Sequence, residues 1–327
     1  MKESDIRPSD ILNEFLRLCS EDSLVYFKDC VKTDIPCPAC ASKQVKYSFN
    51  KWGFDYVVCQ ECGTLYQSPR PPQENFERFY QESKSAQYWA KTFFPSVAEV
   101  RREHLFRPKV EQIIQLCNGD NFSPSLIADI GAGYGLFSEE WRKKFPKADL
   151  TAIEPNADLA KVCRLKGLKV IESFVEDVEP SETYDMVVTL ELIEHIYDPY
   201  KFCFSLKQFL KRSGRLLLTG LTVDGFDIQV LWEHSKSVSP PQHINFISVL
   251  GFKKLLTRAG FSKVRIFTPG KLDVDIVKNF AAENSGILDD QHMVKNLLAK
   301  DDETLKDLQE FLSKHQLSSH CWVWAEK

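Results

Sequence analysis

The sequence predicts an α/β protein: a large part built on a mostly parallel sheet with helices on both faces, joined to a small N-terminal ribbon. Three observations predict it. From Leu126 onward, short apolar runs alternate with amphipathic stretches of helical length, the pattern of a parallel sheet with crossover helices. The first run, Leu126-Ile-Ala-Asp-Ile130, opens into Gly131-Ala-Gly-Tyr-Gly135, which reads as buried strand, tight loop and helix start. Ahead of both lie two C-x-x-C pairs, Cys37/Cys40 and Cys59/Cys62, spaced as in a zinc ribbon.

Bulk properties narrow the classes. A chain of 327 residues holds one large domain plus a small one, or two domains. A net charge of −4 gives no general attraction to nucleic acid or an anionic membrane. No apolar run approaches the ~20 residues needed to span a bilayer. The polar start, Met1 to Pro8, carries no secretory apolar region, so a cytoplasmic location is expected. Cys19, Cys30, Cys117, Cys163, Cys203 and Cys321 are scattered, mostly among apolar residues, as buried thiols in a reducing compartment would be.

Taken in order, residues 1–35 form an N-terminal helical segment. Ser9 is the expected N-cap of a helix with Ile11, Leu12, Phe15, Leu16 and Cys19 on one stripe, and 24–31 is a second short amphipathic stretch. Residues 36–70 are the ribbon. Segments 45–49 and 54–58 form a hairpin around Trp52-Gly53, and Cys37, Cys40, Cys59 and Cys62 complete a closed tetrahedral zinc site. With no coordination position left for substrate, that zinc is structural. Basic residues there are few (Lys43, Lys46, Lys51 and Arg70), so nucleic acid is not an expected partner. Ser68-Pro-Arg-Pro-Pro72 is an extended linker.

Residues 71–118 read as a helical linker or lid rich in aromatics: Phe76, Phe79, Tyr80, Tyr88, Trp89, Phe93 and Phe94. Residues 119–327 carry the sheet, with strands at 126–130, 150–153, 169–171, 186–190, 215–219, 263–267 and 320–325. Helices fill 136–145, 157–165, 199–210 and 248–259, with Gly214 and Gly260 at expected C-cap sites. The charged, amphipathic stretch at about 271–319 reads as a helical insertion between the last two strands.

The glycine loop lets backbone approach a ligand, and the helix after it offers free N–H groups to an anion. The second strand ends in Glu154, 25 residues beyond Asp129. A carboxylate there accepts two hydrogen bonds from a ribose, so an adenosine-containing cofactor is expected. The nicotinamide fingerprint would need its third glycine at position 136, where Leu136 stands. Val175-Glu-Asp-Val178 follows the third strand, and an acid there can accept an adenine amino hydrogen. Then come Tyr184-Asp-Met-Val-Val-Thr-Leu-Glu-Leu-Ile-Glu-His195 and Gly214-Arg-Leu-Leu-Leu-Thr219.

In this order and spacing the motifs, over about residues 100–270, resemble those of class I S-adenosylmethionine-dependent methyltransferases. The resemblance implies a Rossmann-like seven-stranded sheet whose last strand is antiparallel, a place that Cys321-Trp-Val-Trp-Ala325 fits. It implies that Asp129, Gly131, Ala132, Gly133, Tyr134 and Gly135 line the methionine half of the cofactor. Glu154, followed by Pro155, would hold the ribose hydroxyls. Asp177 and Val178 would face the adenine, and Leu190 and Glu191 would border the methyl-transfer site.

On the acceptor side, His243 in Pro240-Pro-Gln-His-Ile-Asn-Phe-Ile-Ser248 would be a base or acceptor-binding group; the alternative is a cap for the helix near Ser248. His195 follows Glu191 and Glu194, a cluster similar to one that assists a divalent metal in some ubiquinone-pathway O-methyltransferases; the alternative is that His195 orders its loop through hydrogen bonds. Tyr134 would cover the cofactor or merely pack. Arg101, Arg102 and His104 precede the first strand, where the resemblance implies that an arginine sometimes meets the cofactor carboxylate; they read instead as a solvated helix face. The ribbon resembles that of some bacterial small-molecule and sugar methyltransferases, where it helps shape the acceptor site.

The resulting expectation is methyl transfer to oxygen or carbon of a small-molecule or carrier-linked acceptor. The alternatives are an RNA or protein methyltransferase and a non-catalytic SAM-binding module. No basic stripe supports RNA, and Leu190-Glu-Leu-Ile stands where the Asn/Asp-Pro-Pro-Tyr motif of N-methylation would be. Intact Asp129, Gly131, Gly133 and Glu154 count against the module.

Overall fold

The cysteine region supplies three antiparallel strands, β1 (Val45–Lys51), β2 (Phe54–Cys59) and β3 (Leu65–Gln67). The structure, a computed structural model, describes residues 2–180 and 183–327. β1 and β2 turn at Trp52-Gly53, where φ is +50° and +84°. Two consecutive left-handed positions match the twist of a tight hairpin, as the sequence predicts.

The remaining strands are β4 (Leu126–Ile130), β5 (Asp149–Ile153), β6 (Lys169–Ile171), β7 (Tyr184–Leu190), β8 (Leu210–Leu221), β9 (Asn245–Phe246), β10 (Ser262–Phe267) and β11 (His320–Glu326). Seven of them form one sheet in the order β10-β11-β8-β7-β4-β5-β6. Neighbours from β6 to β8 are parallel, and β11 is antiparallel to both β8 and β10. β9 instead pairs with β3, Tyr66 opposite Asn245, so the ribbon's sheet is completed from a distant part of the chain.

Alternation along the central strands sends neighbouring side chains to opposite cores. Ala128, Ile130, Val187, Leu216 and Leu218 enter one; Ile127, Met186, Val188, Leu217 and Trp324 enter the other. Burial on both faces is why these strands read as continuous apolar runs. β4 lies between β5 and β7, so connections leave it in opposite directions. A crevice opens at the carboxyl ends there, where open α/β sheets bind ligands.

The helices depart from expectation in three details. Ser9–Phe27 is a single helix with Pro8, not Ser9, at the cap position. The expected second stretch is the end of that helix and an extended tail, with Val25 and Val31 exposed. Helix Pro199–Phe209 stops where β8 begins, so Gly214 lies inside β8 and is no cap. A Cβ on Gly214 would come within 3.0 Å of the Asp185 carbonyl oxygen, and this close approach explains the glycine. Gly260, at φ +87°, does close helix Val249–Arg258.

Residues 73–119 are helical nearly throughout, with π turns at Trp89–Phe93 and Arg102–Phe106 on either side of helix Phe94–Arg101. Each π turn ends just ahead of a proline, Pro95 or Pro108, whose missing N–H breaks the regular ladder. Helices Asp273–Glu283, His292–Leu298 and Asp302–Lys314 fill the space between β10 and β11. No helix among the described residues is long and apolar enough to cross a membrane.

Candidate active site

The glycine loop leaves β4 with three left-handed residues, Gly131, Gly133 and Gly135, at φ +66°, +55° and +67°. A Cβ on Gly131 would meet Leu192 at 2.7 Å, while beside Gly133 nothing lies within 4 Å. The first glycine is needed for packing, and the second leaves open space against bare backbone, as a cofactor requires. Asp129 is buried under the loop and accepts from Ser138 Oγ at 2.8 Å. Burial raises its pKa to about 7. Glu154 Oε2 accepts from the Gly133 N–H at 2.8 Å and Oε1 from the Asn156 N–H at 3.0 Å. Burial raises its pKa too.

A cavity of 310 Å³ runs from this loop to the loop just before β9, residues 236–243. It brings together Asp129, Gly131, Ala132, Gly133, Tyr134, Leu190, Glu191, His195 and His243. Gly135, Glu154, Pro155, Asp177 and Val178 are not among its lining residues; Asp177 stands exposed on the turn Val175–Asp177. The roof comes from the N-terminal segments, through Leu12, Phe15, Trp89, Phe93 and Phe94. Tyr134 both lines the cavity and packs: its ring stacks on Phe94 at 4.4 Å, and its hydroxyl donates to the Ala90 carbonyl.

Glu191, at φ +52°, follows β7. Lys109 Nζ reaches its Oε1 at 2.9 Å, Thr219 Oγ1 donates to the same oxygen, and His320 Nδ1 lies 3.3 Å from Oε2. Burial pushes this carboxyl up, but His320 and Lys109 outweigh it and hold it well below the usual range. Lys109 and His320 are functional neighbours that sequence reasoning missed. Lys109 had a signal, since it adjoins the apolar stripe Val110, Ile113 and Cys117; His320 had none.

Glu194 is buried, with Oε2 unpartnered. Burial and the nearby Glu191 raise its pKa to about 8. His195 Nδ1 lies 3.1 Å from the Gln242 carbonyl, and His243 Nδ1 lies 2.6 Å from that of Ser237. A carbonyl only accepts, so each Nδ1 carries the hydrogen and each Nε2 keeps a lone pair. Burial lowers the pKa values to about 3 for His195 and about 4 for His243; both rings are neutral. Their centroids are 4.7 Å apart.

His195 is thus bonded across to the loop that carries Gln242. His243 caps nothing: Ser248 Oγ accepts from Gly251 N–H at 2.8 Å and caps the helix itself. The metal-competent grouping is Glu194, His195 and His243, whose ligand atoms lie within 4.8 Å of one another. One carboxylate and two imidazoles suit a divalent cation. Glu191, grouped with Glu194 and His195 in the sequence, is engaged by Lys109 and His320 instead.

The ribbon is built into this loop. Tyr56 Oη donates to the His243 carbonyl at 2.6 Å, and the Gln67 N–H to that of Ile244 at 2.9 Å. Arg70, fully buried, donates to Asn245 Oδ1 at 2.8 Å and to the Tyr197 carbonyl. Ser248 Oγ donates to the Cys62 carbonyl. Cys37 and Cys62 sulfurs are 3.6 Å apart, Cys40 and Cys59 sulfurs 3.5 Å, and all four lie within 4.8 Å. A tetrahedral ion with Zn–S bonds of about 2.3 Å sets sulfurs about 3.8 Å apart, so the set fits zinc.

Of the arginines read as a solvated face, Arg102 meets Glu99, Glu139 and Glu140. Arg101 contradicts that reading: it lines the cavity. His104 is exposed.

A family model described as a methyltransferase domain matches residues 101–266. Malonyl-[acyl-carrier protein] O-methyltransferase 2 of Ilyobacter polytropus is 27% identical over 179 residues, 53% of this chain and 62% of that protein. A ubiquinone biosynthesis O-methyltransferase of Xanthomonas oryzae pv. oryzae is 35% identical over 104 residues, 29% of this chain and 42% of that protein. The chain thus spans less than two thirds of the length of these relatives. Among solved structures, the plantazolicin methyltransferase BamL, in complex with a triazolic desmethylPZN analog and SAH, has a TM-score of 0.52 at 16% identity, covering 77% of this chain and 94% of that one. A SAM-dependent methyltransferase from Archaeoglobus fulgidus has a TM-score of 0.50 at 18% identity, covering 72% and 100%. These two share the fold.

Proposed function

The chain belongs to the methyltransferase-domain family, and on that premise we propose that it transfers the methyl group of S-adenosylmethionine to oxygen or carbon of a small-molecule or carrier-linked acceptor. One observation carries the reading: one roofed cavity joins the glycine loop to two neutral histidines with bare Nε2 lone pairs. Donor and acceptor are thereby held together away from water, and orientation of that kind contributes up to ~7–11 kcal/mol to catalysis.

The cofactor, when bound, supplies an electrophilic sulfonium methyl. Asp129 to Gly135 hold its methionine half, Glu154 and Pro155 the ribose, and Asp177 with Val178 the adenine. Leu190 and the ionised Glu191 border the transfer site. His243, with His195 beside it, takes a hydrogen bond from the acceptor and removes its proton; the low pKa keeps the ring unprotonated beforehand. Cys37, Cys40, Cys59 and Cys62 hold a structural zinc. Five buried free thiols outside the ribbon, including Cys163 and Cys203, accord with a cytoplasmic setting.

Calorimetry with S-adenosylhomocysteine tests the cofactor. Glu154→Ala should weaken binding by about 1.5–3 kcal/mol, the worth of hydrogen bonds to a charged group; unchanged affinity places the cofactor elsewhere. Methyl-labelled cofactor incubated with metabolite fractions identifies the acceptor. His243→Ala should then lower turnover roughly 10²–10⁴-fold at unaltered cofactor affinity.

A second reading has a specific observation behind it. The unpartnered Glu194 Oε2 and the two histidines would hold a divalent cation that polarises the acceptor. Activity abolished by chelation and restored by a divalent ion, with ribbon zinc retained, supports it; indifference to chelators removes it.

A further inference from the structure

Arg101 is surrounded by protein yet lacks a counter-ion. Its guanidinium lies 5.4 Å from the Trp89 ring and 5.6 Å from those of Phe93 and Phe94. Nε donates to the Ile6 carbonyl at 3.3 Å. Its two terminal nitrogens have no hydrogen-bond or ion-pair partner among the described residues, and the side chain lines the cavity. Arg7, just before helix Ser9–Phe27, lines the same cavity and has no ion pair among the described residues.

The other charged groups of the cavity are accounted for. Lys236 pairs with Glu283 at 2.9 Å. Glu191 is held by Lys109 and His320. Burial disfavours the charged forms of Asp129 and Glu194. Two guanidinium groups, both only partly exposed, are therefore left over along one cavity. A buried cation without a partner is costly, and the planar fork of Arg matches a carboxylate or phosphate. Arg7 sits toward the histidines: burial is the main cause of the lowered pKa of Arg101 and of His243, and the charge of Arg7 adds to it in both.

We propose that Arg101 and Arg7 form an anion-binding subsite in the roof of the cavity, and that the acceptor carries a carboxylate or phosphate which this pair holds while its reacting atom faces His243. This rests on the methyl-transfer reading. The same chemistry would suit the cofactor's own carboxylate, and the test separates the two sources.

The full-length protein is titrated calorimetrically with S-adenosylhomocysteine, with methylthioadenosine, which lacks the amino-acid carboxylate, and then, saturated with S-adenosylhomocysteine, with inorganic phosphate and benzoate at constant ionic strength. One of the two anions should bind the wild type. Arg101→Leu and Arg7→Gln should each weaken that binding by about tenfold or more, and Arg101→Lys should recover part of it. Affinity for S-adenosylhomocysteine should stay within about twofold. No saturable anion binding, or equal binding by wild type and variants, overturns the proposal. So does a loss of S-adenosylhomocysteine affinity in Arg101→Leu with methylthioadenosine unaffected, since the anion is then the cofactor's. Failure of the wild type to bind S-adenosylhomocysteine at all sinks the methyl-transfer reading instead. Should Arg101→Leu fail to fold, Arg7→Gln decides alone, because Arg7's side chain makes no hydrogen bond among the described residues.

Discussion

Four carboxylates around one loop are set to different protonation states by their surroundings alone. Lys109 and His320 hold Glu191 well below the usual range; burial pushes Asp129 up to about 7, burial with the nearby Glu191 pushes Glu194 up to about 8 against the pull of Lys109, and Glu154 is raised as well. Such divergence marks working sites. For Asp129 it carries a sign. The folded state binds this proton more tightly than the unfolded chain, so between about pH 4 and pH 7 the group's contribution to stability falls as pH rises. Asp129→Asn copies the protonated form. Urea unfolding should find the variant more stable than wild type by ~1–4 kcal/mol at pH 8, with the gain gone near pH 4. A constant difference across that range would show that Asp129 does not titrate as described.

At the scale of elements, the ribbon braces the loop that presents His243. Tyr56, Gln67, Arg70 and Cys62 all bond to residues 243–248 or their carbonyls. Elemental analysis should find one zinc per chain. Cys40→Ser should lose it, lower the Tm and raise hydrogen exchange at residues 237–248 while residues 131–135 change little; zinc absent from freshly purified wild type, or a variant with no change in exchange, would contradict this. The ribbon, the glycine loop and the seven strands were legible because each is written locally, in cysteine spacing, glycine spacing and apolar runs. The meeting of Lys109 and His320 on Glu191, and of Arg101 with the cavity, was not. Those contacts depend on which helix face turns inward and on strands far apart in the chain. Gly214 misled for a related reason: the close approach of Asp185 that requires it is a property of the paired sheet, whereas the sequence shows only a glycine after a helix.

At the scale of the molecule, the cavity is narrow and roofed over. At 310 Å³ it stands at the small end of ligand pockets, roughly 300–1,000 Å³, too small for cofactor and acceptor together without movement of its roof. The roof rests on apolar contacts such as Phe94 on Tyr134 and Phe15 on Trp89, 5.0 Å apart. Limited proteolysis of the free protein should cut first within residues 2–30 or 83–106, and saturating S-adenosylhomocysteine should slow those cuts several-fold. Phe94→Ala should speed them without cofactor; indifference to both would show that the roof is fixed. A different consequence follows from the pairing of β3 with β9. More than half the chain lies between Gln67 and Asn245, so the ribbon's outer edge stays open until about three quarters of the polypeptide has been synthesised and folded back. A nascent chain released before that point would carry bound metal and an uncovered strand, and it would be prone to stick to its own copies.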